Sequence, residues 1–110
     1  MRSHMGQGRY IEATQSAEQA LKMAQQTYGP DHLNTARSIG DLAVMYDIQG
    51  RMSEAEGLYQ RSIAMEEKLL GPNDPEMAAS LRNLAGMRRK QGRQVEADAL
   101  EERAKAIDSK

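Results

Sequence analysis

Gly50-Arg51-Met52-Ser53-Glu54-Ala55 is the segment on which the architecture turns, because it is one of three. Gly8-Arg9-Tyr10-Ile11-Glu12-Ala13 stands 42 positions before it, and Gly92-Arg93-Gln94-Val95-Glu96-Ala97 stands 42 positions after it. Gly29-Pro30-Asp31 returns at the same step as Gly71-Pro72-Asn73, while Ile39, Leu42 and Ala43 return as Leu81, Leu84 and Ala85. A constant period of this size is the signature of stacked supersecondary units, each too small to bury its own apolar face alone.

Glycines and prolines divide the chain into five predicted helices, 9–28, 32–49, 52–70, 74–91 and 94–108. The connections are short, which forces neighbouring helices to run antiparallel, hairpin after hairpin. Asp74-Pro75 reads as an N-cap followed by a first-turn proline, whose missing N–H would have been unpaired in any case. Ser53 with Glu56 reads as a capping box, and Gly71-Pro72 as a left-handed C-terminal cap followed by a residue that cannot continue the helix. Helical spacing places Ile39, Leu42, Ala43 and Tyr46 on one buried stripe. Ala55, Leu58, Tyr59, Ser62 and Ile63 form a second, and Tyr10, Ala13, Ala17, Leu21, Ala24 and Tyr28 a third. The expected class is therefore all-α.

Composition agrees. The chain has no Phe, Trp or Cys, so its core must come from close contact of Ala, Leu, Ile and Met with a few tyrosines. The absence of cysteine excludes disulfides and suits a reducing cytoplasm, where the protein is expected. Fifteen basic against sixteen acidic residues provide no long-range attraction for nucleic acid. No apolar run approaches the roughly 18 residues that would mark a membrane span. Met1-Arg2-Ser3-His4-Met5 has the character of an expression-tag remnant and is set apart from the fold, leaving His32 as the one native histidine.

Ile39-x2-Leu42-Ala43-x2-Tyr46, then Gly50, then Ala55-x3-Tyr59, resembles the tetratricopeptide repeat (TPR). The usual unit is about 34 residues, and the longer step with its Gly-Pro turns is similar to the kinesin light chain variety. The resemblance implies a short solenoid of about two and a half repeats and five helices over residues 6–110. It would comprise the second helix of a partial repeat at 8–29, a full repeat at 30–71 and a terminal repeat at 72–110. In the last unit Arg88 and Glu101 replace Tyr46 and Tyr59, and Lys105 replaces Ile63, so that hairpin is more polar.

No convergent nucleophile, base and stabiliser, and no ligand cluster, is visible, so neither an enzyme nor a cofactor or metal is expected. His32 falls in a turn where a polar residue near a helix start is ordinary. Arg88-Arg89-Lys90 either complements the negative C-terminal end of its helix or contacts an anion or acidic peptide. The eight methionines suit an adaptable surface or, as with Met45 and Met87, gap filling between helices. Gly40 and Gly86 lie inside helices, where close approach of a helix or a ligand would account for them.

Arg37, Asp41, Val44 and Ile48 point away from the packed stripe of their helix, and Ala79, Asn83, Gly86 and Lys90 occupy the equivalent face one repeat on, with Arg82 and Arg89 beside it. The resemblance implies that such first helices line a concave groove that receives a protein or peptide. Its contact residues would be Arg37, Asp41, Val44, Asp47, Ile48, Arg82, Asn83, Arg89 and Lys90, and the cations among them favour a ligand bearing carboxylates near the C-terminal hairpin. Asn83 matches a position where the family commonly holds a peptide backbone, whereas its counterpart is Asp41. The alternative is a scaffold segment whose faces only extend a larger solenoid. An opening half-repeat leaves an apolar stripe without its partner helix, which predicts a homodimer or swapped assembly through the N-terminal helix.

Overall fold

The computed structural model describes residues 2–109, with side chains from residue 9 onward. Five helices follow in order: α1 (Arg2–Tyr28), α2 (Leu33–Ile48), α3 (Met52–Leu70), α4 (Pro75–Lys90) and α5 (Gln94–Asp108). Each packs on its neighbour in sequence, most extensively α2 on α3 and α4 on α5. These two pairs are the hairpins of the repeat. The radius of gyration, 14.5 Å, exceeds the about 13 Å of a 100-residue globule, as expected when units add along one direction.

Helices α2 to α5 begin and end within two residues of the predicted bounds. Helix α1 starts earlier than expected, at Arg2, and so runs through residues 2–5, which the sequence set apart from the fold; Met1 lies outside the described residues. Those positions contain no proline, and adding turns to an existing helix is far easier than nucleating one.

The turns explain the period. Gly29, Gly50, Gly71 and Gly92 all have positive φ, between +77° and +92°. At Gly71, φ +92° is combined with ψ 163°, which is not the ordinary left-handed cap but a region open essentially to glycine alone. Its N–H still donates to the Glu67 carbonyl at 2.9 Å. Asp74 caps α4 as predicted, its carboxylate accepting from the Glu76 N–H at 2.9 Å with Pro75 in the first turn. His32 does the same for α2 through Nδ1, which accepts from the Asn34 N–H at 3.0 Å while its ring stacks on Tyr28 at 4.5 Å.

The Ser53–Glu56 capping box does not form. Helix α3 begins at Met52, which places Ser53 already inside it, and Arg51 at the N-cap makes no side-chain cap bond. Arg51 instead binds Glu54 and stacks its guanidinium 4.3 Å from the centre of the Tyr46 ring. Glu56 turns away to Arg88 of α4.

The core has two centres. Leu42, Ala43, Tyr46, Ala55, Tyr59, Leu84 and Met87 form the first, and Met77, Ala78, Leu81, Ala104 and Ile107 the second, with Ile63 and Leu100 packed against both. The stripes on α2 and α3 are buried or half-buried as predicted. The stripe on α1 is not: Ala24 is buried and Ala17 and Leu21 half-buried, but Tyr10, Ala13 and Tyr28 are exposed. Helix α1 packs on α2 alone, so one neighbour covers part of a face that two would cover.

The two helical glycines divide. A Cβ at Gly40 would lie 3.2 Å from Ser62 Oγ, and that hydroxyl donates to the Ala36 carbonyl at 2.9 Å, so Gly40 lets α3 approach α2. A Cβ at Gly86 would meet nothing within 4 Å. Gly86→Ala is therefore expected to stabilise the protein by about 0.5 to 1 kcal/mol through reduced backbone entropy of the unfolded chain. Gly40→Ala should lose that gain to crowding, and chemical denaturation of the two variants side by side checks the contrast.

Candidate functional site

Helices α2 and α4 are first helices of consecutive repeats and touch each other little. Between them is a cleft of about 180 Å³. Arg37, Asp41 and Val44 come from one wall, Glu76, Ala79, Ser80 and Asn83 from the other, and Ser62 and Glu66 of α3 form the floor. The i, i+4, i+7 spacing of Arg37, Asp41 and Val44 aligns them on one face of α2.

Four of the nine predicted contact residues, Arg37, Asp41, Val44 and Asn83, thus meet in one cleft. The other five stand elsewhere. Asp47 is buried, accepting from the Tyr59 hydroxyl at 3.0 Å and from Lys90 Nζ at 2.9 Å. Ile48 is exposed on a different hollow, of about 340 Å³, with Tyr10, Ile11 and Gln49. Arg82 is paired with Asp108, Arg89 with Glu101 and with Asp98 at 3.0 Å, and Lys90 with Asp47.

These pairs bear on the expected electrostatics. The cations that were to favour a carboxylate-bearing ligand are already opposed by carboxylates of α2, α4's neighbour α5 and the α5 C-terminus. Arg88, read as either complementing the end of α4 or contacting an anion or acidic peptide, turns inward and binds Glu56, with Glu96 at 3.4 Å. Arg37 also has a partner, donating to Glu76 through Nε at 3.2 Å and through Nη2. That bond holds the Glu76 carboxyl below its usual range.

What remains open in the cleft is acidic. Burial raises the carboxyl of Asp41, and burial chiefly, helped by nearby Glu76, raises that of Glu66 against the hydrogen bond from Ser80 and the charge of Arg37. Glu66 was missed by sequence reasoning. The available signal was an acid four residues after Ser62 and three after Ile63, on the apolar stripe of α3.

Among the described residues no group of three or more His, Cys, Asp and Glu side chains is placed to hold a metal ion. No helix of the described residues is long and apolar enough to cross a membrane.

A stack of antiparallel hairpins with a cleft between successive first helices defines a helical-repeat scaffold. The chain belongs to the tetratricopeptide repeat family, whose sequence profile matches residues 2–68 and 48–110. It is of the kinesin-light-chain-like kind. A kinesin light chain-type protein from Podosopora anserina with nearly identical TPR-like repeats superposes with a TM-score of 0.84 at 29% identity, over 99% of this chain and 52% of that one. BtubC (BKLC) from P. vanneervenii gives 0.84 at 25% identity, over 91% of this chain and 39% of that one. The chain thus spans about half the length, or less, of these solved structures. No match is found among curated proteins. Tetratricopeptide repeats generally mediate protein–protein interaction.

Proposed function

We propose that this chain is a non-catalytic interaction module that receives a peptide or an extended segment of a partner protein in the cleft between α2 and α4. The observation that carries this reading is the convergence of Arg37, Asp41, Val44 and Asn83, from two consecutive repeats, on one cleft. Asn83 offers both a donor and an acceptor to a peptide backbone and Val44 an apolar contact. Arg82, Arg89 and Lys90, being paired within the chain, serve the fold rather than the ligand. A cytoplasmic location suits a chain without cysteine.

Selection from a displayed random-peptide library tests the reading. Selected peptides should shift the amide resonances of Asp41, Val44 and Asn83, and Arg37→Ala with Asn83→Ala should weaken them at least about tenfold, some 1.4 kcal/mol, with helicity unchanged. Peptides that bind the double variant unchanged would place the site on another face.

A second reading, self-association through α1, rests on its exposed apolar residues. Tyr10 and Ile11 are each more than two-fifths exposed and line one hollow with Ile48 of α2, while Met23 and Tyr28, exposed to a similar degree, line a second hollow further along α1. Exposed apolar surface on a helix covered by one neighbour favours a partner. Sedimentation should show concentration-dependent dimers that Ile11→Glu abolishes; a monomer at every accessible concentration refutes this second reading and leaves the cleft unaffected.

A further inference from the structure

Glu66 is 3% exposed, yet it carries a carboxylate into a floor otherwise built for helix packing. Ser80 Oγ donates to its Oε1 at 2.6 Å, and Ser62 Oγ approaches the same oxygen at 3.5 Å. No described residue donates to Oε2. Among the described residues no side-chain polar atom that is shut off from solvent lacks a partner, so Oε2 keeps some access to solvent, and Glu66 lines the cleft. No described cation lies within ion-pairing distance of Glu66 or Asp41. Arg37, the basic residue lining this cleft, is taken by Glu76.

A buried carboxylate without an ion-pair partner is costly, and its neighbours here give it one close hydroxyl hydrogen bond, from Ser80, and only the more distant charge of Arg37, whose guanidinium is bonded to Glu76. The cleft is lined by Asp41, Glu66 and Glu76 against Arg37, so its net charge is negative once the Arg37–Glu76 pair is formed. Its volume, about 180 Å³, is that of one long side chain and not of a helix. Building on the peptide-binding reading above, we infer that the cleft over Glu66 is a subsite for one positively charged side chain, Lys or Arg, of the bound peptide. Glu66 Oε2 accepts from the entering ammonium or guanidinium, Asp41 supplies the second carboxylate at the rim, and Asn83 flanks it. The preferred ligand is therefore basic at this point, whereas the carboxylate preference read from the sequence concerned the C-terminal hairpin.

The test uses the whole chain, labelled with ¹⁵N, and three probes: acetyl-lysine amide, acetyl-arginine amide and acetyl-glutamate amide. The two cationic probes should shift the amides of Gly40, Ser62, Ser80 and Asn83 saturably, and acetyl-glutamate amide should not. Glu66→Gln keeps an acceptor for Ser80, and Asp41→Asn changes an exposed residue; each should weaken the cationic probes about tenfold or more. Equal response to all three probes overturns the inference, as does unchanged binding by Asp41→Asn, which decides the matter should Glu66→Gln fold poorly. The underlying reading fails separately. If library-selected peptides lose affinity with Arg37→Ala and Asn83→Ala while the cationic probes give no saturable shifts, the peptide cleft stands and the cation subsite falls.

Discussion

Leu81→Ala is expected to cost about 2 to 5 kcal/mol, the range for removing a fully buried Leu side chain and leaving part of its volume empty. Leu81 is 1% exposed and sits with Met77, Ala78, Ala104 and Ile107 in the core that joins α4 to α5. A domain of this size has only some 5 to 15 kcal/mol of net stability, so the loss is a large share of the whole. It should also be local in its consequences. Stability in a stacked repeat is a sum of unit and nearest-neighbour terms, and the affected interface is the one holding the last hairpin together. Hydrogen exchange should therefore show α5 losing protection before α2 and α3, with the denaturation midpoint lowered throughout. A midpoint shift below about 1 kcal/mol, or uniform loss of protection, would contradict this assignment of the core.

The helices were legible because their punctuation is chemical. Gly71, Asp74 and Pro75 each act through their own backbone or the next turn, and a reader of the sequence needs no partner to see it. The repeat step carried the packing as well. Asp47 and Tyr59 hydrogen-bond between α2 and α3, and the residues 42 positions on, Arg89 and Glu101, make an ion pair at the same place between α4 and α5. The exchange of tyrosine for glutamate at 101, visible in the sequence, is thus paired with the exchange of aspartate for arginine at 89.

The charges of the candidate site were less legible, since helical periodicity gives a face but not what stands opposite. Arg82 adjoins Asn83 in the sequence of α4, yet pairs with Asp108, 26 residues later, outside the cleft. Lys90 is drawn to Asp47 of the preceding repeat, 43 residues back. The Ser53–Glu56 motif misled for the same reason. A local capping bond competes with Arg88 from another helix, and the tertiary partner wins. Only the acid on the α3 stripe, Glu66, broke the pattern in a way that pointed to the cleft.

Arg88→Ala is the second substitution with a large expected effect, about 2 to 3 kcal/mol. Arg88 occupies the position of Tyr46 one repeat earlier, and its side chain is 8% exposed. Tyr46 fills that place with a ring and a hydrogen bond to Glu18 at 3.1 Å; Arg88 fills it with its aliphatic stem and a guanidinium bound by Glu56 and, at 3.4 Å, Glu96. Truncation removes both the packing of the stem and the counter-charge of Glu56. Breaking a fully buried ion pair costs about 3 to 5 kcal/mol, but Glu56 is 28% exposed and has Arg93 at 3.6 Å, which lowers the figure. Arg88→Met keeps the stem and should cost about 1 kcal/mol. The pH dependence separates the two contributions. The hydrogen bond from Arg88 holds the Glu56 carboxyl below its ordinary range. The stability from this pairing is therefore present above the normal carboxylate range and is lost as pH falls through the depressed value. The deficit of Arg88→Ala should accordingly shrink in acid, leaving the packing loss, while that of Leu81→Ala has no such source of pH dependence. Denaturant midpoints at neutral and acid pH measure both, and an Arg88→Ala deficit that is equal at the two would show that the stem, not the charge, is what α4 contributes here.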